Sequence, residues 1–229
     1  LKDRIKERVG SVYDMHWPHL QPKSARNVRK SPLHIYHEKN GACFGEHAGW
    51  ERPNWYAPVG VEPIMEYSYG KQNWFEYSAF EHNAVRNDVG LFDQTAFAKF
   101  IVQGNDAEDV LQNICANDVA VKVGTVVYTA MLNNRAGIEA DVTVTRIETD
   151  KYLIVTSSST ATRDMTWIKR NIPENAHCFV TDVTSSYAVL GVMGPNSREL
   201  LSQIVDVDMS NEGFPYMTAQ YMYLGYSNE

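Results

Sequence analysis

Three cysteines in 229 residues, at 43, 115 and 178, are too few and too odd in number for a disulfide scaffold; they fit a reducing compartment. No apolar run approaches the ~18–20 residues that span a bilayer, so no membrane partner is expected. Positive charge is scarce as well: 21 Lys and Arg stand against 28 Asp and Glu, a formal net charge of −7. That balance argues against a nucleic-acid backbone as main partner. Glycine-rich phosphate loops are missing. Gly191-Val192-Met193-Gly194 lacks the terminal lysine, Gly70-Lys71 lacks the spacing, and no strand-linked GxGxxG offers a Rossmann site. What is present is ordinary for a globular chain, 44% apolar and 21% charged residues.

The chain divides into two textures. Residues 1–75 hold five of the seven histidines, four of the five tryptophans and six of the nine prolines. After a short helix over residues 1–13 little periodicity survives, and the stretch reads as an extended, aromatic-rich connector without a core of its own. From residue 76 the pattern is regular. Helices are expected over 76–87, after Asp106 as cap, over 162–170 and after Asn196 or Ser197. Strands are expected at 89–93, 99–103, 126–132, 138–145, 152–156 and 187–193, the last of them buried. Hairpin-type connections between them make the class α+β. Tyr221-Met222-Tyr223-Leu224 reads as a strand still awaiting its partner. With Leu1 in place of Met, it gives the expectation of a fragment of a longer protein.

Residues 124–146 are the most informative. Two runs of strand formers flank Asn133-Asn134-Arg135-Ala136-Gly137, whose Asn and Gly tolerate positive φ in a hairpin loop. Alternation puts Ile138, Ala140, Val142 and Val144 on one face, and Glu139, Asp141, Thr143 and Thr145 on the other. The second face either meets water or forms the wall of a pocket; the strand alone leaves both readings open.

Other candidates weigh less. His34, His37, Cys43 and His47 fall within fourteen residues, but their spacing matches no closed zinc site, and no metal is expected. Cys115 reads as core. The aromatic group Trp50, Trp55, Tyr56, Tyr67, Tyr69 and Trp74 is expected in interdomain packing rather than against a flat ligand.

Several segments together resemble one family. Met15-His16-Trp17-Pro18, Ser31-Pro32-Leu33, Gly41-Ala42-Cys43-Phe44-Gly45-Glu46 and Gly49-Trp50-Glu51-Arg52-Pro53-Asn54-Trp55 are similar to the linking region of dimethylglycine and sarcosine dehydrogenases. Glu81-His82-Asn83-Ala84-Val85-Arg86, Gly90-Leu91-Phe92-Asp93, Met131-Leu132-Asn133 and Gly194-Pro195 resemble the folate-binding domain those enzymes share with the aminomethyltransferase (T-protein) of the glycine cleavage system.

The resemblance implies that 76–229 is the N-terminal part of a folate-binding aminomethyltransferase-like domain, and 1–75 the connector from a flavin oxidoreductase domain. It implies FAD on that other domain and tetrahydrofolate here. It also implies transfer of an iminium carbon from dimethylglycine or sarcosine to the folate. A fragment of this kind is expected to be inactive alone. Asp141 matches the family's aspartate beside the folate nitrogens and is the expected catalytic base. Tyr128 matches a pterin-lining tyrosine, and Ser157 stands where the family has a pterin-contacting asparagine. T-proteins carry two successive aspartates where this chain has Ala140-Asp141. Tyr128 and Asp141 are expected to face one cavity, with Ser157 close by. The small-molecule partners would be the folate and the amine-derived iminium, in a bacterial cytoplasm or a mitochondrial matrix. The rival implied by the same resemblance is a non-catalytic relative, like the pyruvate dehydrogenase phosphatase regulatory subunit, that uses the architecture for protein contacts.

Overall fold

The computed structural model describes residues 2–225, so Leu1 of the expected first helix and 226–229 of the expected domain lie outside the described residues. In chain order the elements begin with α1 (Lys2–Gly10), α2 (His34–Lys39), β1 (Ala42–His47), β2 (Trp50–Tyr56), α3 (Phe75–Asn87) and β3 (Gly90–Asp93). Next come β4 (Ala98–Gln103), α4 (Ala107–Ile114), β5 (Val126–Leu132), β6 (Ile138–Glu148) and β7 (Lys151–Thr156). The chain continues through α5 (Ala161–Arg170), β8 (Phe179–Asp182), β9 (Leu190–Met193) and α6 (Ser197–Ser202). Two units are compact in their own contacts: 1–96 with 188–195, and 97–187 with 196–229.

In the first unit β1 and β2 form an antiparallel hairpin, and β3 pairs antiparallel with β9. The aromatic stretch does have a core. Cys43, Trp55 and Ala57 are buried together with Met65, Trp74 and Tyr77 packed against them. Trp55 stacks on Tyr77 at 5.4 Å between ring centroids, so this tryptophan is spent inside its own unit rather than between domains. Buried Glu51 is held by Arg26 and by the Asn27 backbone N–H. The expected strand over 187–193 is shorter and more open than its sequence reads. β9 has a single neighbour, and its Leu190 and Met193 are exposed.

The second unit is built on one five-stranded antiparallel sheet in the order β5-β6-β7-β4-β8. Ala107, Val110, Leu111 and Ile114 of α4 recur at helical spacing and bury one stripe. That stripe, with Ile168 of α5, packs on Ala98, Phe100, Val102, Ala140, Val142, Val144, Tyr152 and Ile154 of the sheet. Alternation along β6 therefore places Asp141 on the sheet face away from these helices.

Several local expectations are corrected here. Ile138 is 72% exposed, because the register slips between Met131 and Leu132 and takes it off the core face. Thr145 is buried, since it lies between Val126 of β5 and Leu153 of β7. Asp106 occupies the N-cap position of α4 without capping it; its carboxylate accepts the His177 backbone N–H at 2.6 Å instead. Tyr221–Leu224 forms no strand; Leu224 makes an isolated bridge to Val205, and the Tyr223 N–H donates to Asp206 Oδ1 at 3.0 Å. The 217–219 segment covers the start of edge strand β5 instead, through Val126 N–H to Met217 and Ala219 N–H to Gly124.

Candidate functional site

Register decides what stands beside Asp141. On β5, Tyr128 lies opposite Thr143 and Ala130 opposite Asp141. Tyr128 and Asp141 are thus diagonal neighbours on one face, a spacing an aromatic side chain can bridge. The Tyr128 phenol donates to Asp141 Oδ2 at 3.1 Å. Both side chains are exposed, Tyr128 at 59%. The hydrogen bond to Asp141 and that carboxylate's charge raise the phenol's pKa above its ordinary value, since losing its proton would leave two anions in contact. Asp141 Oδ1 has no partner among the described residues.

The backbone under Tyr128 is pinned from the neighbouring loop. Asn117 Nδ2 donates to the Tyr128 carbonyl at 2.8 Å, and the Asn117 N–H donates to Thr129 Oγ1 at 3.0 Å. On the other side of β6, Thr143 lies opposite Val155 of β7. Carrying that antiparallel register two residues further aligns Asp141 with Ser157, just past the end of β7. Ser157 is nevertheless engaged with its own turn: its hydroxyl shares a hydrogen bond with Ser159 at 2.8 Å and accepts the Ser159 N–H at 3.3 Å. The structure brings Tyr128 and Asp141 into contact and gives Ser157 no bond to either.

The turn carrying Ser157 has an anchor that the sequence did not announce. Asp164 is 1% exposed, and its Oδ2 accepts both Thr156 Oγ1 and Thr160 Oγ1 at 2.6 Å, while Arg163 Nε reaches Oδ1 at 3.1 Å. One carboxylate therefore ties the end of β7 to the start of α5. An Asp in the first turn of a helix is so common that only its burial distinguishes this one.

The histidine-rich segment forms a hydrogen-bonded chain in the first unit. His37 Nε2 meets Asp93 Oδ2 at 3.0 Å and His37 Nδ1 meets the Tyr56 hydroxyl at 2.8 Å. Ser31 Oγ also donates to Asp93 Oδ2, and the Thr95 N–H to Oδ1 at 3.0 Å. Burial alone would raise the Asp93 pKa. The bonds from Ser31, Thr95 and His37 outweigh it, and the carboxyl lies below its ordinary range. His34 packs on Phe44 and Cys43 joins Trp55, so among the described residues no three such groups converge as a metal requires.

A cavity of about 690 Å³ lies on the helix side of the sheet, bounded by α4, α5 and the β5–β6 loop, and neither Asp141 nor Tyr128 lines it. Glu139 does, because the register shift between Met131 and Leu132 leaves it unpaired and takes it off the face it was expected to share with Asp141.

Comparison with known proteins adds the following. Residues 33–228 match the GCVT N-terminal domain, and residues 1–31 match the FAD dependent oxidoreductase central domain. The 4-methylaminobutanoate oxidase (formaldehyde-forming) of Paenarthrobacter nicotinovorans is 49% identical over 216 residues, covering 94% of this chain and 26% of that protein. Human mitochondrial sarcosine dehydrogenase is 30% identical over 256 residues, 95% of this chain and 28% of that protein. The aminomethyltransferase of Halothermothrix orenii is 34% identical over 188 residues, 82% of this chain and 47% of that protein. Among solved structures, the glycine cleavage system aminomethyltransferase T from Bartonella henselae superposes with a TM-score of 0.63 at 29% identity. It covers 77% of this chain and 44% of that one. The chain spans less than a third of the length of the first two relatives.

Proposed function

The chain belongs to the GCVT N-terminal domain family, and we propose that its sheet face around Asp141 serves one-carbon transfer from an N-methylated amino acid to tetrahydrofolate. The observation that carries the reading is the Tyr128–Asp141 pair, an oriented carboxylate with one oxygen open on an accessible face. These residues suit a reduced pterin: Asp141 Oδ1 is an acceptor for a ring or amine N–H, and the exposed Tyr128 ring is a flat surface beside it. Ser157, at the end of β7, adds a short-reach hydroxyl once its bond to Ser159 is exchanged. Bound tetrahydrofolate would supply a nucleophilic nitrogen for an electrophilic carbon.

The chain's own residues then have defined tasks. Asp141 Oδ1 takes the proton that a ligand nitrogen gives up, and its negative charge favours cationic carbon nearby. A base so placed contributes roughly 10²–10⁴-fold in rate. Tyr128, donating to Oδ2, fixes the carboxylate's rotation so that Oδ1 stays outward. Asp164 holds the turn that carries Ser157.

The names of the relatives point to methylamino acids as the substrate class: sarcosine and 4-methylaminobutanoate. In this reading residues 76–229 are the folate part and 1–75 the connector to a flavin part. No glycine fingerprint in the chain itself would cradle FAD, so that cofactor is assigned to another region of a longer protein. The protein would work where reduced folate is kept, in a bacterial cytoplasm or a mitochondrial matrix. A regulatory, non-catalytic role is less well supported, because most of the relatives are named as oxidases, dehydrogenases or aminomethyltransferases.

The test is Asp141→Asn in the intact parent protein, which keeps size and removes the base. Amine oxidation should continue at nearly its normal rate. The ratio of methylene-tetrahydrofolate to formaldehyde at saturating folate should fall by at least about tenfold. An unchanged ratio would remove the catalytic role of Asp141.

A further inference from the structure

The cavity on the helix side of the sheet is separate from the Asp141 face, and its size, about 690 Å³, is that of a small-molecule site. Ile114 and Leu132 give it apolar wall; Asn113, Arg135 and Glu139 give it polar groups. The Trp167 side chain closes one side of it, with its indole N–H buried away from the open space.

The two charges are the informative feature. Arg135 and Glu139 have opposite signs, line one cavity, and form no ion pair with each other or with other described residues. Asn133 explains why they do not collapse together. Its Oδ1 accepts the backbone N–H groups of Arg135 and Gly137, both at 2.9 Å, and its Nδ2 holds Glu139 Oε1 at 2.7 Å. The loop is thereby set before any ligand arrives, which lowers the ordering cost of binding. A simple anion would meet repulsion from Glu139, and a simple cation would meet it from Arg135. A molecule carrying both charges satisfies both.

We propose that this cavity binds a small zwitterion of the amino-acid class, its carboxylate received by Arg135 and its ammonium by Glu139. The site uses none of the residues of the proposed folate face and stands whether or not that face binds folate.

The test is calorimetric titration of the 229-residue chain with the ω-amino acids from glycine to 5-aminopentanoate, against butanoate and butylammonium as single-charge probes. At least one zwitterion is expected to bind saturably and at least about tenfold tighter than either single-charge probe. Arg135→Gln and Glu139→Gln should each weaken it by about tenfold, with unchanged circular dichroism. Asp141→Asn should leave it as it is. The proposal is overturned if no zwitterion saturates below about 10 mM, if the single-charge probes bind equally well, or if the Arg135 and Glu139 variants bind like the wild type.

Discussion

Tyr128 and Asp141 are bonded across β5 and β6 at 3.1 Å although neither is the other's direct cross-strand partner. Their contact depends on the register of the pair, and a slip of one residue would put the two side chains on opposite faces. A raised pKa of Tyr128 is the signature this contact should leave in solution.

Removing the charge of Asp141 should therefore lower the pKa of Tyr128. In Asp141→Asn the phenol should titrate closer to its ordinary value of 10.0, because ionisation no longer places two anions side by side. Carbon-13 tyrosine NMR, with Tyr128→Phe to assign the signal, reads this directly. Identical titration in wild type and Asp141→Asn would mean that the bond is not formed in solution.

Asp164→Ala should destabilise the chain by about 1–3 kcal/mol, because it strips buried Thr156 and half-buried Thr160 of their shared acceptor. Asp164→Asn, which keeps an acceptor oxygen, should lose less. Urea unfolding of the three proteins measures it, and a loss below about 0.5 kcal/mol for the alanine variant would show the clamp to be dispensable.

Gly104 turns the chain from β4 toward α4 at φ +128°, and a Cβ there would lie 2.1 Å from the His177 carbonyl oxygen. Gly104→Ala should cost roughly 2–3 kcal/mol through strain and displacement of the 177 loop. Thermal melting of the variant checks this; a midpoint equal to wild type contradicts the turn geometry.

Asp93 should give the first unit an acid-sensitive contribution. Its carboxyl titrates lower in the folded chain than its ordinary value of 3.8, so folding releases its proton. The contribution is fully present above the unfolded value and disappears as pH falls through the lower folded one. Below about pH 4, Asp93→Asn should show a shallower decline of melting temperature with falling pH than wild type. Parallel declines would show that Ser31, Thr95 and His37 do not hold the ionised form.

Local pattern made much of this protein legible in its sequence. The i, i+3, i+4, i+7 stripe of α4 and the strand–turn–strand run around Asn133 arise from periodicities that neighbouring residues impose on one another. So does the place of Asp141 in a strand whose alternate residues are apolar. The resemblance supplied Tyr128, Asp141 and Ser157 as a set, but not whether they touch.

Contacts between distant residues were decided by the tertiary structure alone. Strand order placed β6 between β5 and β7, burying Thr145 and bringing Tyr128 diagonal to Asp141, while Ser157 stayed bonded to its own turn. The His177 loop took the Asp106 carboxylate that local pattern assigns to a helix cap, and burial made Asp164 a clamp. Sequence alternation says which residues share a face. Which groups meet across that face depends on register, because a hydrogen bond forms only within about 3 Å and a shift of one residue moves a side chain to the other face.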